Sequence, residues 1–461
     1  MLHLDTAALG DRLHRLVKLA MDTGEAADLD EAQRIFSSYR LAIAIGPEVA
    51  HSAAHQAALL TMVNSGDRSL LGGVEIAGLN PDTPCLLPLP HAGSLADAVR
   101  SFGGRVVVSP TPGIPLVLLG DASFNGDAHP LALRTTFSGW CGGVAPVASG
   151  IRLDERDTLV IAAVLAGALT ITEIFQFLRR SNAAAGRRGV GLSLWRPECD
   201  WRDPAALGPR IERLPSAAWL IGLGNLGQAY LWTLSLLPYA TPAEVCLVLQ
   251  DFDFMAPSNL STSLLTTGSA IGQKKTRATA AWAEQRGFRT VIIERPFAAN
   301  FRVMPDEPPV ALCGVDNAQA RACLEDVGFS RVIESGLGKG TSDFLALRLH
   351  CFPGPKPART IWNETGAADA EGPKLDLPAY QALAANGADR CGLTSLAGRT
   401  VGAPFVGAIA ATLVIAELVR LANGAHTYDF MDGHLRALDK RTVALAAQPT
   451  LVNPGTTRLG P

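Results

Sequence analysis

WLIGLGNLGQAYLWTLSLLPYATPAEVCLVLQDFDFMAPSNLSTSLLTTGSAIGQKK, Trp219–Lys275, is the stretch whose reading decides the fold. An apolar run ends in Gly222-x-Gly224-x-x-Gly227. A helical pattern follows, and a second apolar run, Val245 to Leu249, ends at Asp251-Phe-Asp253. The order is strand, glycine turn, helix, strand, acid. Glycines admit a tight turn and the close approach of a phosphate, the helix start offers unpaired N–H groups, and the acid can bond a ribose hydroxyl. The glycine pattern alone fits a tight turn with no ligand; the strand before it and the acid after it make a nucleotide the expected ligand.

Outward from this stretch, the chain is long enough for about two to four domains. Its 461 residues are 48% hydrophobic and 18% charged with a net charge of −3, so no basic footprint for nucleic acid is present. No secretory-type leader opens the sequence, and the reading places the protein in the cytoplasm. Two apolar stretches, Thr158–Thr172 and Ala403–Ala416, are shorter than the roughly 18–20 residues of a spanning helix and run into Glu173 and Glu417; they read as core helices, with no membrane partner. Eight cysteines form no CxxC pair, which argues against structural zinc.

Met1–Tyr39 carries helical periodicity with Leu13, Leu16, Val17 and Ala20 on one face. The run Leu41–Gly46 opens a second strand–helix–strand outline, but Pro47-Glu48 follows Gly46, with no further glycines and an acid that would repel phosphate. Ser181–Arg188 reads as a linker, and Phe352–Arg390, rich in Pro, Ala and Gly, as a long crossing loop. The glutamates of the two apolar helices and the glycines at 46 and 222 correspond. They imply a duplicated architecture: a first copy, residues 1–188, without a nucleotide site, and a second, 189–461, carrying an insertion at 352–400. His51 and His55 have helical i, i+4 spacing, but with no third ligand nearby they read as a packed or solvated pair rather than a metal site.

After the acid come Ser258-Asn259, then Gly272-Gln273-Lys274-Lys275, and, closing a strand that starts at Val310, Cys313-x-x-Asp316-Asn317 with Arg321 beyond. This ordered set, over roughly Trp219–Arg321, resembles the ubiquitin-activating-enzyme superfamily, which includes the ThiF- and MoeB-type adenylating enzymes. The whole chain is most similar to the activating enzymes of bacterial ubiquitin-like antiphage operons. The resemblance implies an α/β fold class: two tandem Rossmann-like, ThiF-type adenylation folds, the first degenerate and the second active, with a crossing loop that carries a cysteine.

The resemblance also implies ATP and Mg²⁺. Gly222, Gly224 and Gly227 would leave room for the α-phosphate, Asp251 would bond the ribose, and Asp253, Asn259 and Gln273 would complete the nucleotide site. Lys275 would lie along the β- and γ-phosphates, and Asp316 would hold the metal. One departure stands out. Where the family has an arginine three residues after the Asn of SN, this chain has Thr262. Lys274, Arg277, or Arg34 and Arg40 from the first half are the candidate replacements, with Arg40 counted among the catalytic residues. Cys391, beside Arg390, is the expected nucleophile that takes the activated carboxylate as a thioester.

The implied function is adenylation of the C-terminal carboxylate of a ubiquitin-like protein, thioester formation, and transfer to a ubiquitin-conjugating-type enzyme. An internal pseudo-dimer is expected ahead of a homodimer. The alternatives are a sulfur-carrier or peptide adenylyltransferase without a thioester step, and a scaffold with a vestigial site.

Overall fold

The computed structural model describes residues 6–90, 93–123, 126–365, 374–447 and 452–460. In the first half, α1 (Thr6–Arg12), α2 (Val17–Asp22) and α3 (Leu29–Ser37) precede β1 (Arg40–Ile45), α4 (Ala53–Asp67), β2 (Gly73–Ala77) and α5 (Leu95–Ser101). Then come β3 (Arg105–Val107), β4 (Leu116–Leu119), β5 (Ala132–Ser138), β6 (Cys141–Pro146), α6 (Val160–Leu178) and β7 (Val190–Ser193). The second half runs β8 (Arg213–Pro215), β9 (Ala217–Ile221), α7 (Asn225–Ser235), β10 (Cys246–Gln250), α8 (Lys275–Gln285), β11 (Arg289–Ile293), β12 (Val310–Cys313) and α9 (Ala318–Ala322). It continues through β13 (Arg331–Leu337), α10 (Gly340–Asp343), β14 (Ala346–Phe352), α11 (Ala358–Thr365), α12 (Pro378–Ala385), α13 (Arg390–Ala397), α14 (Pro404–Ala422), β15 (Tyr428–His434), β16 (Thr442–Leu445) and β17 (Thr456–Arg458).

The short apolar runs are buried central strands, as expected where helices cover a mostly parallel sheet. The first sheet has the order β3-β2-β1-β4-β5-β6-β7 and the second β11-β10-β9-β12-β13-β14-β15-β16. Strand for strand the seven-membered orders coincide, parallel through the first five and antiparallel thereafter. The chain therefore holds two α/β folds of one topology. β7 follows residue 188 yet pairs with β6, so the first sheet ends beyond the expected 188/189 division.

The duplication extends to the helices. α6 and α14 are each 19 residues long, and Glu173 and Glu417 are each the fourteenth. Both carboxylates accept backbone N–H groups of chain returning to the last shared strand, Gly186 at 2.8 Å and Tyr428 at 3.2 Å. At 19 residues both helices are long and apolar enough to cross a membrane, so the argument from length fails; 94% and 100% of their apolar windows lie inside the protein. They form the seam between the halves, where Phe175 meets Phe405 at 5.3 Å between ring centres. Beside them, Trp232 on α7 donates to the Thr61 hydroxyl on α4 at 3.2 Å. One continuous apolar core spans both halves, burying Leu13, Leu16, Val17 and Ala20 of the N-terminal segment within it.

The region read as a crossing loop is built differently. Its described parts contain α11, α12 and α13. α12 is started by Pro378 at its first turn and α13 is capped by Asp389, which accepts from Gly392 N at 2.8 Å. Pro, Ala and Gly content misled the sequence reading because each of these helices is only eight residues long, too short for periodicity to show.

Candidate active site

β9 lies between β10 and β12, so the chain reverses direction across the sheet between β9 and β12. Ligands of such sheets bind at the carboxyl ends of the strands beside that reversal. The three glycines sit there, each in a different setting. Gly222 has φ +83°, and a Cβ on it would lie 2.8 Å from Val315 Cγ1. A Cβ on Gly227 would fall 1.9 Å from Gly222 O, so only glycine lets α7 start so close to the turn. A Cβ on Gly224 would meet nothing within 4 Å: this is the open side of the turn, at the N-terminus of α7.

Asp251, at the end of β10, is buried and accepts from Leu223 N at 2.7 Å and Asp253 N at 2.9 Å. An ionised carboxylate has further lone pairs, so this bracing leaves acceptor capacity for a hydroxyl. Lys275 is the first residue of α8; its Nζ is 2.9 Å from Asp253 Oδ2 and 4.0 Å from Asp251 Oδ2. Asp316 follows β12, one residue beyond the Val315 that packs on Gly222, and is exposed without a hydrogen-bond or ion-pair partner among the described residues. Arg321 fixes that loop by donating to Val315 O at 2.5 Å and pairing with buried Glu334 at 3.1 Å. Asn317 caps α9. A carboxylate on the loop that packs against the glycine turn is of the type that suits a hard divalent cation taking its other oxygens from phosphates.

Asn259 accepts from Ala256 N at 2.8 Å, shaping the turn that bears it, and Gln273 donates to Ser269 O at 2.9 Å. The structure thus brings together the glycine turn, Asp251, Asp253, Lys275 and Asp316, with Asn259 and Gln273 on the adjoining segment. It does not bring the expected arginines. Arg40 pairs with Glu75 at 2.5 Å at the start of the first sheet, and exposed Arg34 bonds its own helix at Asp30 O. Arg277 pairs with Glu294, while Lys274 donates to Phe252 O and lies over the Phe254 ring.

A first-half cation that does reach the segment around Asn259 is Arg15, between α1 and α2. Its backbone N donates to Ser261 Oγ at 3.1 Å and its Nη2 to Ser258 Oγ at 3.2 Å, on either side of Asn259. Its Nη1 is buried without a hydrogen-bond partner. A buried guanidinium nitrogen with nothing to donate to marks a place for an acceptor. No sequence signal distinguishes Arg15 from its neighbours on a helical segment; only the packing of that segment across the halves reveals it. Thr262 is buried, and a Cβ on Gly402 would come within 3.1 Å of its Cγ2. The connector from α13 to α14 therefore packs over Thr262.

That connector follows α13, the helix that carries Cys391. Cys391 is the second residue of α13 and the exposed thiol among the described cysteines. Past α13, Ala403 O accepts from Asn225 Nδ2 at 3.3 Å at the start of α7. Burial pushes the thiols of Cys141 and Cys313 up to about 11 and about 12, and that of Cys351 further, away from nucleophilic use.

The corresponding crevice of the first half is lined by two acids, Glu48 and Glu155. Glu48 Oε2 accepts from Asp121 N at 2.9 Å and would lie 2.5 Å from a Cβ on Gly46. His55 is buried, bonded to Ser52 Oγ at 2.8 Å and Glu155 at 3.2 Å, while His51 is exposed. Among the described residues no cluster of three or more metal-ligating side chains occurs.

Family models described as the BilD N-terminal domain and the BilD C-terminal domain match residues 40–194 and 214–425. The bacterial E1-like protein BilD of Collimonas sp. (strain OK412) is 46% identical over 426 residues, 92% of either chain. Among solved structures, E. coli tRNA N6-threonylcarbamoyladenosine dehydratase, TcdA, in complex with ATP is 12% identical with a TM-score of 0.31, over 44% of this chain and 84% of that one. E. coli MccB is 13% identical with a TM-score of 0.32, over 71% and 95%. These two structural likenesses are too slight to carry an argument.

Proposed function

We propose a reaction from one premise: the chain belongs to the BilD family of bacterial E1-like proteins. The second half binds ATP as substrate and adenylates the C-terminal carboxylate of a ubiquitin-like protein. The first half has no nucleotide of its own and serves the second. The observation that carries this reading is Arg15, delivered from the first half beside Asn259 with a buried nitrogen awaiting an acceptor.

In the reaction a carboxylate oxygen attacks the α-phosphorus, the bond to the β-phosphate oxygen breaks, and pyrophosphate leaves. Gly224 and the α7 N-terminus face the phosphates, and Asp251 bonds the ribose. Lys275 and Arg15 meet the charge that develops on the departing pyrophosphate. Lys275 is held by Asp253 and Asp251 without nucleotide, so it exchanges those contacts for phosphate ones. Asp316 would hold Mg²⁺, which supplies charge neutralisation at the phosphates.

In the second step the sulfur of Cys391 attacks the carbonyl of the acyl adenylate, its proton passes to solvent, and AMP leaves as the thioester forms. A conjugating enzyme then takes the acyl group onto its own cysteine. ATP–pyrophosphate exchange, dependent on a ubiquitin-like protein with a free C-terminus, tests the first step. A thiol-sensitive enzyme adduct that is lost in Cys391→Ala tests the second. Exchange without any such adduct would place the enzyme with adenylyltransferases that form no thioester, and an absence of exchange would remove the adenylation reading altogether.

A further inference from the structure

The segment after Asn259, residues 262–267, has neither helix nor strand, so its backbone carbonyls must find partners elsewhere. Two carbonyls of the stretch, and that of Leu260 just before it, are taken by one side chain of the other half. Arg68, the C-cap of α4, donates from Nη1 to Leu260 O at 2.5 Å and from Nη2 to Leu264 O at 3.2 Å and Thr266 O at 3.0 Å. Its Nε donates to Asn64 Oδ1 at 2.9 Å, and Asn64 Nδ2 in turn donates to Leu264 O at 3.0 Å. A planar fork with fixed donor directions does what an ammonium group cannot: it holds three acceptors in one geometry. On the opposite side, Gln228 of α7 receives Leu265 N at 3.0 Å and the Thr266 hydroxyl at 3.1 Å, so the segment is clamped between the halves.

We propose that Arg68 is a positioning residue for adenylation: it templates Leu260–Thr266 and, through Ser258 and Ser261 at the head of that stretch, sets the pose of Arg15. The inference rests on the reading in which Arg15 meets the phosphates. On it, the first half acts on the nucleotide site twice, once through a cation and once through the mould that holds the cation. Burial pulls the Arg68 guanidinium down to about 10, so it remains charged at neutral pH.

The test uses the full chain with Arg68→Lys, Arg15→Ala and the combined variant, read by Mg–ATP titration calorimetry and by hydrogen exchange without nucleotide. Arg68→Lys should weaken Mg–ATP binding by about 10- to 100-fold, comparable to Arg15→Ala, the range of one charge-assisted hydrogen bond. The double variant should bind no more weakly than Arg15→Ala alone, because the two act as a unit. Amides of residues 258–266 should exchange faster in Arg68→Lys. Losses that multiply in the double variant, or exchange at 258–266 that matches wild type, would overturn the proposal. Should Arg68→Lys fail to fold, Asn64→Ala loosens the same fork and must move both readouts in the same direction. A wild-type chain that binds no Mg–ATP refutes the adenylation reading instead, and the exchange measurement still judges the hold of Arg68 on the segment.

Discussion

Replacing Gly224 and Gly227 singly with alanine sets two opposite surroundings within one turn against each other. At Gly224 the added methyl meets nothing within 4 Å, while φ −82° with ψ −142° lies outside the common helical and extended regions. The stability cost should therefore be that of the backbone conformation alone, roughly 1 kcal/mol. On our reading that empty side is where a phosphate of ATP lies, so the methyl should weaken Mg–ATP binding at least about tenfold, or roughly 1.4 kcal/mol. At Gly227 the methyl would fall 1.9 Å from Gly222 O, and both sides of that contact are backbone. No flexible side chain can yield, so α7 must move off the turn. Overpacking of this kind costs about 1–3 kcal/mol or more. Gly227→Ala should therefore lower the melting temperature as well as abolish binding. Scanning calorimetry and Mg–ATP titration of both variants read the two effects separately. A folded Gly224→Ala chain with wild-type ATP affinity would refute the reasoning, because the open side of the turn would then not be the phosphate side.

Arg15→Ala should slow ATP–pyrophosphate exchange by about 10- to 100-fold, the worth of a charge-assisted bond, whereas Arg34→Ala should leave the rate within about twofold. Cys391→Ala should keep exchange and lose the thiol-sensitive adduct on a non-reducing gel. Asp316→Asn should raise the Mg²⁺ concentration needed for half-maximal exchange by about tenfold or more, since a charged metal ligand becomes neutral. His14, beside Arg15, is held down to about 4 from 6.5 by burial, with the charge of Arg68 acting the same way. Between pH 6.5 and about 4 the unfolded chain binds the proton and the folded chain does not, so stability falls on acidification through that window. The loss is at most about 3 kcal/mol, and His14→Gln should flatten the melting temperature over the same range.

Much of the second half was legible in order along the chain because a glycine turn between strand and helix is a local device. Gly222, Gly224, Gly227 and Asp251 lie within one strand–helix–strand unit, and the backbone constraints that select them act over a few residues. The duplication was legible too. Matching glutamates at one position of two apolar helices reflect one local need, an acceptor for backbone N–H groups of chain re-entering the sheet. The helices between 358 and 397 were not legible, since eight-residue elements leave too short a record in the pattern. Arg40, expected among the catalytic residues, is paired with Glu75 at the start of the first sheet.

The sequence by itself determined two α/β copies, the position of the glycine turn, and the absence of an arginine at 262. Only the tertiary structure decided what packs over Thr262 and which first-half cation stands beside Asn259. The connector after α13 lies over Thr262, and Arg15 reaches the neighbouring serines from more than two hundred residues away in the chain. Contacts of that separation leave no periodicity or spacing to read, because they are set by how α6 packs on α14 and α4 beside α7, and that packing brings the halves into register.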